Sequence, residues 1–271
     1  MATRLFEDRA HAAFYQKYRF SPQENLQGVI FSYLEEKRVS PGQLAVDVGC
    51  GSGQSARMLA KHFEKVVGTD ISEAQIEQAR RAPHPPNVSY LVCPAEELPF
   101  EDGSVDLVTA FAAAHWFDGP RFLREVERVL KPSGCVVFSS YNLDMRLCYK
   151  DCSDELTEIF REIQAQLFSF KNEKIKLVEN NYQEIFDSLP FQEKKRMTDI
   201  FDKIPLSVAE IIGFIQSLTS YRRHLKIQPE EAKSLLQNTE RRFLETMGVS
   251  SRDTQLELRT KHVCILGCKS S

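Results

Sequence analysis

Long apolar runs are missing from this chain of 271 residues. No stretch approaches the roughly 18 apolar residues that a membrane-crossing helix needs, so no span and no membrane partner are expected. Residues 1–14, MATRLFEDRAHAAF, mix charges from residue 4 onward and lack the continuous apolar core of a signal peptide. A basic excess is missing too. The 35 lysines and arginines stand against 38 acids, a formal net charge of −3, and no nucleic-acid partner is expected. The clusters Lys194-Lys195-Arg196 and Arg222-Arg223 lie among polar residues and read as solvated surface. Metal-ligand spacing is also missing. Cys148 and Cys152 stand four apart, as do Cys264 and Cys268, without the two-residue gap of a zinc knuckle, and no metal is assigned. The seven cysteines, without an export signal, are expected to be reduced thiols of a cytoplasmic protein. There is no internal repeat and no low-complexity linker.

What is present is an alternation of two periodicities. An apolar fraction of 42% supports one large α/β core with additions. Residues 1–40 read as helical, with Phe14, Tyr18, Val29, Tyr33 and Leu34 at helical spacing, and Pro41-Gly42 ends that region. LAVDVG (44–49), KVVGTD (65–70), VSYLVC (88–93), VDLVTAF (105–111) and CVVFSSY (135–141) read as strands. Helices are expected over 54–64, from Ser72 to Arg81, and from Pro120 to Leu130. That rhythm means βαβ units and a parallel sheet. After Tyr141 the pattern changes. Two amphipathic helices are expected over 153–188, a strand over 191–202, helices over 207–221 and 229–247, and a late strand over 255–268.

The stretch AVDVGCGSGQSARMLA (45–60) carries the chemistry. Gly49, Gly51 and Gly53 alternate between the first strand and the first helix. A tight turn needs one glycine; three in alternation point to a ligand held against backbone N–H groups at a helix N-terminus. The strict dinucleotide fingerprint fails, because Gln54 stands where a glycine is required. The relaxed form fits Gly51, Gly53 and Ala56, with Asp70 about 20 residues on to hold a ribose. A nicotinamide-dependent oxidoreductase therefore stays open on the loop alone. Asp47 favours another ligand: an acid two residues before the first glycine can hold an ammonium group and would repel a pyrophosphate.

The segments VDVGCGSG, VVGTDIS, CPAEELPFEDGSVDLVTAFAAAHWF and LREVERVLKPSG, in that order, resemble the class I S-adenosylmethionine-dependent methyltransferases. Within them the resemblance is to the type 11 family, and AHWF suggests its trans-aconitate methyltransferase-like branch. The likeness covers about residues 40–141. It implies a doubly wound, mostly parallel, seven-stranded sheet, with helical additions capping the acceptor side. It implies S-adenosylmethionine as cofactor and a small-molecule acceptor. One methyltransferase domain is expected over 1–271: a helical lid (1–40), a cofactor-binding core (41–141), a cap with one strand (142–254) and a final strand (255–271).

The resemblance also implies roles. Gly49, Cys50, Gly51 and Gly53 cradle the amino-acid end of the cofactor, while Asp47 orients the loop and attracts the ammonium group. Asp70 accepts from both ribose hydroxyls, Ile71 packs on the adenine, and Ala95 and Glu96 sit at the adenine edge. FYQKYRFSP (14–22) is similar to a family segment that folds over the cofactor through Tyr15, Tyr18 and Arg19. His115 and Trp116 face the acceptor, His115 as a base or an orienting group. A base would give a rate rising through the ordinary histidine range near about 6.5. Arg19, Arg146, Arg222 and Arg223 are candidates to clamp an acceptor carboxylate. A cofactor-binding module without catalysis remains an alternative.

Overall fold

The computed structural model describes residues 7–270; the ends of the expected lid and of the final strand lie outside them. In chain order the elements are α1 (Arg9–Tyr18), α2 (Glu24–Glu36), β1 (Gly42–Val48), α3 (Gln54–Leu59), β2 (Phe63–Asp70), α4 (Glu73–Arg81), β3 (Val88–Val92), β4 (Val105–Phe111), α5 (Gly119–Val129) and β5 (Leu130–Tyr141). There follow β6 (Arg146–Cys148), α6 (Ser153–Leu167), α7 (Lys176–Glu179), α8 (Gln183–Ser188), β7 (Glu193–Ser207), α9 (Val208–Ser217), α10 (Thr219–Ile227), α11 (Pro229–Met247) and β8 (Gln255–Cys268).

Strands β3, β2, β1, β4 and β5 lie side by side in that order, all parallel. Strand β8 runs antiparallel to β5 through residues 262–268. Its other edge pairs along its whole length with antiparallel β7. The sheet has eight strands rather than the expected seven. The extra one, β6, is three residues long and pairs with the part of β8 that extends beyond β5.

Alternation along the strands explains why helices cover both faces. Val46, Val48, Val108, Ala110, Val136 and Phe138 pack into one apolar layer with Phe122, Val126 and Val129 of α5. Their neighbours Ala45, Leu107, Cys135 and Val137 pack into another, with Leu26, Ile30 and Leu34 of α2 and Ile76 and Ala79 of α4. A period of two sends successive side chains to opposite faces, so a strand covered on both sides is apolar throughout. A third apolar cluster belongs to the cap, where α6, α9 and α11 close over β6 and the ends of β7 and β8.

The helix expected over 54–64 stops at Leu59. Asn87 Nδ2 donates to the Ala60 and Phe63 carbonyls, tying the chain to the start of β3, and Phe63 already belongs to β2. The two helices expected over 153–188 are one long helix, α6, followed by short turns and two helices of four and six residues. Tyr182, with φ 55°, interrupts that segment in the left-handed region. The strand expected over 191–202 runs on to Ser207, whose side chain forms a capping box with Glu210 and starts α9. The expectation of seven reduced cysteines is also corrected. The β5–β8 register sets Cys135 opposite Cys268, with Cα atoms 4.1 Å apart, and a disulfide joins them. Cys50, Cys93, Cys148, Cys152 and Cys264 are free. Among the described residues no helix is long and apolar enough to cross a membrane.

Candidate functional site

The C-terminal ends of β1, β2, β4 and β5 open onto three adjoining cavities, and Tyr15 and Ala112 line all three. A parallel sheet places loops and helix N-termini at these strand ends, which is where open α/β folds bind ligands. Ala112, the residue after β4, has φ 50°, a left-handed conformation that residues with a Cβ rarely adopt.

The glycines do not share one task. All three have positive φ, which argues for glycine by itself. A Cβ on Gly49 would lie 2.6 Å from Ala113 Cβ, and one on Gly53 would lie 2.5 Å from Tyr90 Oη. Those two are fixed by the protein's own packing. At Gly51 an added Cβ would meet nothing nearer than Tyr15 at 3.6 Å. Gly49 and Gly51 both border the cavities and Gly53 borders none. Reading all three as ligand-driven is thus corrected at Gly53. Cys50 contributes backbone: its N–H donates to the Thr69 carbonyl at 2.9 Å, while its Sγ is buried toward Gly68.

Asp47 lies under this loop and lines none of the cavities. It is fully buried and accepts from Ser55 Oγ at 2.6 Å and Thr109 Oγ1 at 2.7 Å, pinning the start of α3 to β4. Burial, only partly offset by those two hydroxyls, pushes its carboxyl up to about 6. Its expected role in orienting the loop has a geometric basis here; a direct grip on an ammonium group has none.

Asp70 stands at the end of β2 beside Gly51. Its Oδ2 accepts from Gly51 N at 3.0 Å and its Oδ1 from Ser72 N at 2.8 Å, so one carboxylate sets both the loop and the start of α4. Burial pushes it up to about 6, against the pull of those N–H donors. The cavity at this end, about 70 Å³, is lined by Gly49, Gly51, Asp70, Ile71, Ala95 and Glu96, together with Trp116 and Phe117. Glu96 is already engaged, since its Oε1 accepts from Asp118 N at 2.7 Å. A second cavity of about 70 Å³ runs past Cys50, Gln54, Ser139 and Arg19. Together they fit the cofactor that the motifs imply. There is an acid for ribose hydroxyls, an apolar wall for a base, and a bare backbone approach at Gly51.

The third cavity, about 330 Å³, lies between the strand ends and the cap. Its lining is mostly apolar and comes from α6, α7, the turn at Phe168–Phe170 and the start of α10. His115 and Trp116 sit on the sheet side of it, and Trp116 also borders the cavity beside Asp70. His115 is 4% exposed and its Nδ1 lies 2.7 Å from Tyr182 Oη. Burial, with the Arg19 and Lys174 charges adding to it, lowers the imidazole to about 3. The inflection near 6.5 that a base would show is therefore not expected. Tyr182 itself is fully buried and its phenol is pushed well above the ordinary value. Nothing in the sequence near Tyr182 marks it, because its partner is 67 residues away.

Arg19 is set over the Tyr15 ring, 4.9 Å from its centroid, and donates to the Ser217 carbonyl at 3.3 Å. Its Nε is buried without a partner, and it borders both the cap-side cavity and the Cys50–Gln54 cavity. Tyr18 is a correction. It turns away from every cavity and packs on α9, where a Cβ at Gly213 would lie 2.2 Å from its ring. Tyr15 takes the place over the loop, one helical turn earlier. Of the other arginines, Arg146 pairs with Asp154, and Arg222 and Arg223 lie outside the cap-side cavity.

Residues 46–138 match the family described as methyltransferase domain. A Dictyostelium discoideum protein named as a methyltransferase is 33% identical over 229 residues, 82% of each chain. The demethylmenaquinone methyltransferase of Staphylococcus saprophyticus is 27% identical over 186 residues, 67% of this chain and 77% of that one. Among solved structures, one described as a type II methyltransferase from Anaeromyxobacter dehalogenans superposes with a TM-score of 0.73. That pair is 26% identical, over 93% of this chain and all of the other.

Proposed function

The chain belongs to the class I S-adenosylmethionine-dependent methyltransferases, and from that premise we propose that it methylates a small carboxylic acid in the cap-side cavity. S-adenosylmethionine is its cofactor; when bound, it supplies a methyl group already activated by a sulfonium. The observation that carries the reading is the pairing of a cation with a non-basic histidine. Arg19 brings a guanidinium without a carboxylate partner, among the described residues, to a mostly apolar cavity. His115, lowered to about 3, is neutral at physiological pH and has little tendency to take a proton. An acceptor that arrives ionised needs no base. Arg19 binds and orients its carboxylate, His115 offers a hydrogen bond from a ring fixed by Tyr182, and Trp116 and Tyr15 exclude water from the junction. The likeness of residues 114–117 to the trans-aconitate methyltransferase-like branch supports the same reading.

The same assignment keeps the cofactor roles of Gly51, Asp70 and Ile71 and gives Ala95 and Glu96 the adenine edge. The mostly apolar lining, together with a relative named for demethylmenaquinone, favours a ring acceptor as the second reading. One experiment separates them. The protein is incubated with methyl-labelled cofactor and panels of small carboxylic acids and hydroquinones. A carboxyl methyl ester releases its label as methanol in base, whereas a ring methyl does not. Base-labile product from an acid, with an Arg19→Gln variant that raises KM for the acid and leaves cofactor affinity unchanged, is expected. Base-stable product from the ring panel alone overturns the acid reading. Weakened cofactor binding in Arg19→Gln moves that guanidinium to the cofactor's own carboxylate.

A further inference from the structure

Arg222 and Arg223, together with Lys226, line a cleft of about 400 Å³ on the outer side of the cap. His11 of α1 and Phe170 and Asn172 of the turns after α6 complete it, and Thr219 borders both this cleft and the cap-side cavity. Phe168 lines the cavity and Phe170 the cleft, so the turn at Phe168–Phe170 forms part of the partition between them.

On the neighbouring helix α11 and just beyond it the cations are paired. Arg241 meets Glu245, Arg242 meets Glu162, Lys233 meets Glu230 and Arg252 meets Glu240. Among the described residues no carboxylate lies within ion-pair distance of Arg222, Arg223 or Lys226. Arg222 and Lys226 are four apart on α10, the spacing at which like charges on a helix repel. The nearby acid Asp8 is turned to the start of α1, where it accepts from His11 N at 2.6 Å. The positive field extends to the His11 imidazole, which is lowered first by burial and next by Arg222. In a chain with more acids than bases, three cations without a carboxylate partner line one concave surface, and their summed field favours an anion there.

We propose that this cleft is a binding site for a small anion carrying two or more negative charges, as carboxylates or phosphates, at the outer end of the acceptor cavity. It is distinct from the Arg19 position and stands whether or not the methylated group is an acid. Bidentate guanidinium donors suit either oxyanion, and Lys226 adds a point charge.

The probes are pyrophosphate and propane-1,2,3-tricarboxylate, titrated into the full chain and followed by amide chemical shifts. Saturable shifts confined to residues 219–227, 170–172 and His11 are expected, weakening as salt is raised through about 0.15 M. The double variant Arg222→Gln/Arg223→Gln should weaken binding by about 10-fold or more, with S-adenosylmethionine affinity unchanged as proof of folding. Arg19→Gln should leave probe binding intact. A response to one probe only names the source, phosphate or carboxylate. Shifts that do not saturate, that lie elsewhere, or that survive in the double variant overturn the site.

Discussion

The cofactor half of the molecule and its cap are built by opposite rules. Between Gly42 and Asp70 the loop residues stand at strand ends and hold one another over short stretches of chain: Asp70 reaches Gly51 and Ser72, and Asp47 reaches Ser55. The cap side is assembled from distant segments. One cavity gathers Tyr15, His115, the segment from Gln164 to Val178, and Leu218, four stretches of chain that only the fold brings together. On the proposed reading, local rules make the cofactor site and long-range packing makes the acceptor site.

The largest blow to the cofactor half alone should come from Gly49→Ala. The new methyl would meet Ala113 at 2.6 Å and the Phe117 ring at 2.9 Å, on a backbone with φ +68°. Left-handed strain and overpacking together cost about 2–5 kcal/mol. The free energy of unfolding should fall by that amount, read by denaturant titration, and cofactor binding should be lost. Gly51→Ala sharpens the contrast. It has room for its methyl, so stability should fall only by the strain of its φ of +52°, about 1–2 kcal/mol, while binding is lost. Equal destabilisation by both would show that the loop has no open, ligand-facing position.

Asp70→Asn comes next. Removing a charged acceptor costs about 1.5–3 kcal/mol, so affinity for S-adenosylmethionine should fall ~10-fold or more. The wild type should show a pH dependence that the variant lacks. Asp70 without ligand titrates near about 6, so affinity should fall as pH drops through that value and the carboxylate is protonated. Calorimetry from pH 5 to 8 reads it; a flat wild-type profile would move the ribose contact elsewhere.

The smallest effect belongs to the cap side of the comparison. Tyr182→Phe removes one buried hydrogen bond to His115, worth about 0.5–1.5 kcal/mol, so turnover should fall roughly 2- to 10-fold with cofactor affinity unchanged. The rate should stay level between pH 5 and 8 as far as His115 is concerned, because its imidazole titrates near about 3. A histidine-like inflection near 6.5 that disappears in His115→Ala would restore the role of base.

The same difference decides what the sequence makes legible. The strand at 105–111 is legible as a mostly apolar run covered on both faces, and that at 255–268 by the alternation of its first half. The glycine loop and the acid about 20 residues on do meet as their spacing suggests, Gly51 N donating to Asp70 Oδ2. Tyr18 misleads: with Tyr15 three residues away on the same helix, periodicity cannot tell the cavity from the α9 contact. Tyr182 is invisible, since neither its left-handed backbone nor its hydrogen bond to His115 leaves a local pattern. The disulfide depends on the β5–β8 register, and the extra strand β6 on the overhang of β8 beyond β5.

Ala165 tests the division of labour most directly. It is an exposed residue of α6 that lines the cap-side cavity, so Ala165→Trp should fill the acceptor space without disturbing the sheet. Dissociation constants for S-adenosylmethionine and methyl-transfer rates are measured on the same preparation. The account predicts affinity within about 3-fold of wild type and transfer reduced by about 100-fold, the scale of a misplaced acceptor. Unchanged transfer would mean that the acceptor enters elsewhere, and joint loss of affinity and transfer would mean that cap and cofactor half are not separate sites.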